Sequence, residues 1–476
     1  MMDNIALNAG DLLTLQRASF AREGFPGLAV RKDRLSRFGS MLYRNIGHLA
    51  DAATEDFGYR SREFSGLFAL APIIDMAYHR VKLRSWMKVR RSSLLLSALG
   101  IDQTTRSEPK GVVGVMGPWN FPSELTLGPA ASALAAGNRV MLWQSPQAPA
   151  TAEVVSEIVR QYFAPEELAV FSETNGSGEE FSQLRFDHLL FTGSRRVGAL
   201  VASAAGKNLV PVTLELGGKN PAVIAHQGNI TRAAKVLSAL RLVNGGQACI
   251  CPDYVFVPED GVEEFIHSFL AESERRYPLP AGQSGYTSII DDKNYRRVLS
   301  LIEGAERTGA KRWESATKDS TVMAAERKIA PTILTGVTPE MEVSREEIFG
   351  PVLCVYPYKH IDDVVGYVGQ NDSPLTMYWF GPKNRDYRTL ADSSRSGSVN
   401  IGDGLLSLAS PLVPFGGIGH SGTGAYHGKY GFDTFSYVRP VVRSRLPFSV
   451  ASVAVPPYPR IVKSVLERIL GDAQSQ

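Results

Sequence analysis

The sequence predicts an α/β protein built on a parallel sheet with helices on both faces. Three observations carry that expectation. Short apolar runs alternate with helical stretches from about residue 112 onward, glycine or proline marks the junctions, and the first hundred residues are polar, arginine-rich and helical in spacing. A chain of 476 residues that is 44% hydrophobic and 21% charged has ordinary globular composition and room for two or three domains.

The elements follow in order. Helices packed on the rest are expected through residue 100, as in the spacing of 61–86. A strand at 112–116 ends at Gly117-Pro118, and a helix at 123–136 is stopped by Gly137-Asn138. A strand at 140–142, a helix at 151–163, strands at 168–171 and 188–191, a helix at 196–207 and a strand at 210–216 come next. This is the pattern of doubly wound sheets, whose strand ends hold dinucleotides. A second alternating stretch runs from near Pro221 to about Gly397. Glycine and proline then thicken, and the chain closes on an amphipathic tail helix with Ile461, Val462, Val465, Leu466, Ile469 and Leu470 on one face. Docking of that face on protein is the simpler reading, and association with a membrane surface is the alternative. The expected domains are 1–215, with a helical part at 1–100, then 216–400 and 401–476.

Composition excludes several classes. A net charge of +3 without a basic block or a basic-aromatic stripe gives no footprint for nucleic acid. Three cysteines (Cys249, Cys251 and Cys354) make no disulfide framework, which points to a reducing cytoplasm. Met1 to Leu7 lacks the features of a secretion signal, and the best apolar stretch, 446–457, is short and broken by Pro447, Pro456 and Pro457. No HExxH pair occurs among the eight histidines, and Cys249-x-Cys251 lacks a second ligand pair, so no metal is expected.

Four runs carry chemistry. In Asn244-Gly245-Gly246-Gln247-Ala248-Cys249 a cysteine stands in a glycine-rich polar turn, whereas most free cysteines are inert small hydrophobes. The others are Gly117-Pro118-Trp119-Asn120-Phe121-Pro122, Leu214-Glu215-Leu216-Gly217-Gly218-Lys219 and Glu346-Glu347-Ile348-Phe349-Gly350-Pro351. Together they resemble an aldehyde dehydrogenase, and the resemblance spans essentially the whole chain. It implies that family's fold: a Rossmann-like cofactor domain, an α/β catalytic domain and a small oligomerisation arm.

The resemblance also implies roles. Aldehyde oxidation with a nicotinamide cofactor needs a nucleophile that makes a tetrahedral adduct, and Cys249 matches the family's cysteine. Asn120 and the backbone N–H of Cys249 match its oxyanion donors, and Glu215 matches the base that hydrolyses the thioester, implying a free acid as product. Gly193, Ser194 and Gly198 would lie at the pyrophosphate, with Trp119, Leu216 and Gly217 near the dinucleotide. Glu347 and Phe349 would hold the nicotinamide ribose and ring.

The run Pro414 to Gly428 is similar to class 3 aldehyde dehydrogenases, while Asp56 to Ser61, Arg84 to Met87 and Pro456 to Pro459 resemble the bacterial coniferyl-aldehyde dehydrogenase branch. That implies a homodimer acting on bulky aromatic or medium-chain aldehydes. One departure matters. Where the family carries Lys-x-Ser-Glu to hold the adenosine ribose, this chain has Trp143-Gln144-Ser145-Pro146, so the choice between NAD and NADP is open, with Trp143 a candidate to stack on adenine. Two other readings stay open at this level. One is a degenerate member that binds an aldehyde or partner without efficient turnover, and the other is a thiol esterase.

Overall fold

The computed structural model describes residues 8–278, 285–315 and 320–473. Met1 to Leu7, on which the expectation about secretion rests, lies outside the described residues. The chain divides into one large unit, 1–86 with 109–437, and a small one, 87–108 with 438–476.

The large unit contains two sheets. In the first, five parallel strands run in the order Val212–Leu216, His188–Gly193, Val112–Met116, Arg139–Trp143 and Leu168–Phe171, with Gly422–Thr423 added antiparallel at the Val212–Leu216 edge. Apolar residues fill both faces of the central strands, as expected of a sheet covered by helices. The helices are Glu124–Ala136, Pro149–Tyr162 and Arg195–Lys207. The expected strand at 210–216 begins two residues later, at Val212. Leu209 adopts φ +57° and Pro211 has no N–H, so the ladder cannot start before Val212.

The second sheet has seven strands, ordered Lys311–Glu314, Thr332–Thr335, Val352–Tyr358, Pro252–Pro258, Asn220–Ile224, Thr376–Phe380 and Ser398–Ile401. All its pairings are parallel except that of Lys311–Glu314 with Thr332–Thr335. The alternating pattern thus runs a few residues beyond Gly397. Helices Ile230–Leu242 and Val262–Arg276 bury Leu237, Phe265 and Phe269 against one face, and Asp292–Arg307 buries Val298 and Ile302 against the other.

The amino-terminal helices are Ala9–Glu23, Leu28–Phe57, Arg62–Ala69 and Ala71–Trp86. Asp56, at the end of the second, accepts from the backbone N–H groups of Ala150 and Thr151 and so caps the helix Pro149–Tyr162, whose own N-cap, Ala148, supplies no side-chain oxygen.

The small unit is a three-stranded sheet of Arg90–Arg91, Ile101–Pro109 and Ser436–Ser444, followed by the helix Arg460–Ala473. Strands inside the first hundred or so residues were not expected from their helical spacing. The short strand Arg90–Arg91 is a hairpin partner of Thr104 and Thr105, and two residues are too few to show a period. No helix among the described residues is long and apolar enough to cross a membrane.

Candidate active site

Cys249 sits after a strained turn. Residues Val243–Gly246 leave the helix Ile230–Leu242 with Asn244 at φ +51°, Gly245 at +63° and Gly246 at +80°. Gly246 must be glycine, because a Cβ there would overlap the backbone of Gly350 and Pro351. Side-chain amides hold the turn. Gln247 Nε2 donates to the carbonyls of Asn244 (2.8 Å) and Ser288 (2.9 Å), and its Oε1 accepts from Ile290 N–H (3.0 Å). Asn220 Nδ2 donates to the carbonyls of Cys249 and Cys251, at 2.7 and 3.0 Å. Cys249 itself is partly exposed, whereas Cys251 and Cys354 are buried, and all three thiols are free.

Asn120 reaches this turn from the loop after Val112–Met116. Its Nδ2 donates to the Gln247 carbonyl at 3.1 Å. An amide has two N–H bonds, so one remains available to a ligand. Glu215 arrives from the strand Val212–Leu216, where Thr192 is its neighbour across the ladder. It is buried, neither carboxylate oxygen has a hydrogen-bond partner, and burial raises its pKa well above the usual carboxylate range. The Cys249 thiol is also driven toward its neutral form, first by burial and then by the charges of Glu347 and Glu215, while its own backbone N–H opposes the shift.

Glu347 comes from the loop before Val352–Tyr358. Burial pushes its pKa up to about 8, against a hydrogen bond from Gly218 N–H. A Cβ on Gly217 would overlap its carboxylate. Arg297 ties the loop down through the carbonyls of Glu347 (3.2 Å) and Ile348 (2.7 Å), and Arg241 does so through that of Gly350 (2.8 Å). Phe349 is held at φ +48° with its ring edge-on to Trp119, centroids 5.4 Å apart.

The glycine-serine turn lies at the carboxyl end of His188–Gly193. Ser194 caps the helix Arg195–Lys207 through the N–H of Val197, and a Cβ on Gly198 would crowd Leu216. The first N–H groups of such a helix lack carbonyl partners within it and suit a phosphate. These residues fit a nicotinamide dinucleotide: small residues where the backbone must approach it, a helix N-terminus for its phosphates, and aromatic rings with Glu347 at the cysteine. Trp143 is placed differently. Its indole is 5% exposed, packed on Phe171 and Phe181 with ring centroids 5.8 and 6.0 Å away.

Residues 19–441 match the sequence profile of the aldehyde dehydrogenase family. The chain belongs to that family. The probable coniferyl aldehyde dehydrogenase of Caulobacter vibrioides is 39% identical over 464 residues, covering 96% of this chain and 95% of that protein. The dimeric NADP-preferring aldehyde dehydrogenase of Mus musculus is 31% identical over 456 residues, with 95% and 98% covered. Among solved structures, substrate-bound Staphylococcus aureus AldH aligns with a TM-score of 0.87 at 28% identity, covering 96% of this chain and 99% of that one. The chain is therefore an NAD(P)-dependent aldehyde dehydrogenase that oxidises an aldehyde to an acid, and its α/β fold is that of the family.

Several residues in this aldehyde dehydrogenase site had no role assigned from sequence. Asn220, Asn244 and Gln247 fix the cysteine turn, Arg241 and Arg297 fix the Glu347 loop, and the buried Tyr426 has its pKa raised first by burial and then by the charges of Glu215 and Cys249. Tyr426 stands in the glycine-rich carboxyl-terminal run, but nothing local marks it as bound for the cysteine.

Proposed function

We propose that Cys249 is the nucleophile, Asn120 and the Cys249 backbone N–H the oxyanion donors, and Glu215 the base, in an enzyme that converts bulky aromatic aldehydes of the coniferyl type to free acids. The observation that carries this reading is the Asn120 amide held on the Gln247 carbonyl, two residues before the partly exposed Cys249, with Glu347 held at Gly218, three residues after the buried Glu215. The Cys249 thiol gives up its proton to solvent and its sulfur adds to the carbonyl carbon, giving a thiohemiacetal anion. Its oxygen is met by the unused N–H of Asn120, a fixed donor. NAD or NADP, when bound, would supply the hydride acceptor for the thiohemiacetal carbon, leaving a thioester on Cys249. Glu215 then removes a proton from the water that hydrolyses it. Leu216, Gly217, Glu347, Phe349 and Trp119 would hold the nicotinamide half, and Gly193, Ser194 and Gly198 the phosphates. Trp143 would contribute only its exposed rim, leaving the adenosine end without the usual lysine and glutamate and the NAD/NADP choice to affinity measurements.

The aromatic substrate class is supported by the name of the Caulobacter relative and by a wall of rings. The Phe68 ring lies tilted against those of Phe64 and Phe121, the residue next to Asn120, with centroids 4.6 and 4.9 Å away. Domain roles follow: cofactor binding by 1–215, catalysis by 216–400, and assembly by 401–476. A homodimer fits the exposed Val438, Val441 and Val442 on the outer strand Ser436–Ser444, and the mouse relative is named dimeric. Three free cysteines fit a reducing cytoplasm. The test is kcat/KM across coniferyl-type, benzaldehyde-type, medium-chain and short aldehydes, with NAD and NADP separately. Coniferyl-type aldehydes should lead short ones by at least about ten-fold, the margin of roughly 1.4 kcal/mol that a filled aromatic wall readily provides. Equal use of acetaldehyde would overturn the substrate assignment.

A further inference from the structure

The segment joining the helices Leu28–Phe57 and Arg62–Ala69 carries Arg60, whose side chain is fully buried. Its Nη1 donates to the backbone carbonyl of Asn120 at 2.9 Å. That oxygen also accepts from Asn244 Nδ2 at 3.0 Å, and Asn244 Nδ2 makes a second bond to the Gln247 carbonyl at 3.2 Å. Asn120 is thus gripped at both ends, by its backbone oxygen and by its side-chain amide on the same Gln247 carbonyl.

The rest of the guanidinium makes no other hydrogen bond: Nε and Nη2 have no acceptor. It lies over the rings of Phe57, Phe64 and Phe121, 4.8, 5.0 and 5.2 Å from their centroids. The carboxylates that act on it are Glu124, buried with one oxygen unpartnered, and Asp56, already engaged by Ala150 and Thr151. A buried cation with two idle donors is costly, and an apolar side chain of similar volume would fill an aromatic cage at less cost. What the cation alone supplies is a charge-assisted bond onto the Asn120 carbonyl. Oxyanion donors work because they are fixed before charge develops.

We propose that Arg60 is a positioning residue that locks Asn120 in the orientation its amide needs to meet the oxyanion. The proposal rests on the reading of Asn120 as an oxyanion donor. Arg60 touches no reacting atom and acts through the Asn120 peptide.

The test compares wild type, Arg60→Lys, the Arg60→Met/Glu124→Gln pair, Asn120→Ala and the triple variant. Methionine fills the cage, and glutamine avoids stranding a buried carboxylate. The pair should lose kcat by about ten-fold or more while KM for the cofactor stays within about two-fold, because the oxyanion donors act in the transition state. Cofactor-free hydrolysis of a nitrophenyl ester should fall in parallel, and Arg60→Lys should recover part of the loss. Adding the pair to Asn120→Ala should cost nothing further. Unchanged kcat in the folded pair, or losses that multiply with that of Asn120→Ala, would overturn the proposal. If the pair does not fold, Arg60→Lys decides alone: kcat reduced at unchanged cofactor KM supports positioning, and wild-type kcat overturns it. Full activity in Asn120→Ala would instead remove the reading of Asn120, a failure visible without any Arg60 variant.

Discussion

Burial sets the resting protonation of the two groups proposed to react. Both the Cys249 thiol and the Glu215 carboxyl are shifted toward their neutral forms, and the Glu347 carboxyl, at about 8, stands beside them. A base with a raised pKa is idle when protonated, so turnover should climb as pH rises above the usual carboxylate range. Glu215→Gln removes the base without changing shape. It should keep a burst of reduced cofactor near one per site while steady-state turnover falls by roughly 10²–10⁴, because hydrolysis of the thioester stalls. Stopped-flow absorbance checks this, and a variant that retains wild-type turnover would exclude Glu215 as base. At this scale the sequence was most informative where chemistry sits inside a short motif. Cys249, Asn120, Glu215 and Glu347 could be named from their runs, and the structure gathers them. Arg60, Asn220, Asn244 and Tyr426 could not, since their work depends on contacts such as the 60-residue reach from Arg60 to Asn120.

Two turns, rather than the sheets themselves, aim the site. The turn Val243–Gly246 turns the cysteine inward, the Glu347 loop is pinned by Arg241 and Arg297, and Phe349 holds a positive φ that costs roughly 1–3 kcal/mol. Gly246 is where the two meet. Gly246→Ala adds a Cβ at φ +80° against the carbonyl of Gly350, so it should lower the melting temperature by about 1 °C for each kcal/mol of strain, the shift expected in a chain this long. It should also weaken cofactor binding by displacing the Glu347 loop. An unchanged melting curve and cofactor affinity would mean the turn relaxes freely. Regular elements were legible because their period is local: 168–171 agrees with the structure residue for residue, and the helices near 124, 149 and 195 begin within two residues of expectation. The strand Gly422–Thr423 was not, because two residues carry no pattern and only the edge at Glu215 makes them a strand.

For the whole molecule, the order of strands brings the carboxyl ends of the first parallel sheet and the amino ends of the second to the chemistry. Val212–Leu216 supplies Glu215 and ends the first sheet. Four residues later Asn220–Ile224 opens the second, so Glu215 and the clamp on the Cys249 carbonyl come from one short stretch of chain. The α/β class was readable from alternation alone, while the pairing of Ile101–Pro109 with Ser436–Ser444 joins segments more than 300 residues apart and left no local trace. If that outer strand is the dimer contact, Val442→Glu should yield monomers by sedimentation equilibrium with the fold intact, and an unchanged dimer would move the interface elsewhere. The central claim, aldehyde oxidation through Cys249, is tested most directly by following cofactor reduction at saturating NAD or NADP with coniferyl-type aldehyde, wild type against Cys249→Ala. The wild type should show reduction matched by free acid, and the variant none above background. Equal reduction by Cys249→Ala would contradict that claim.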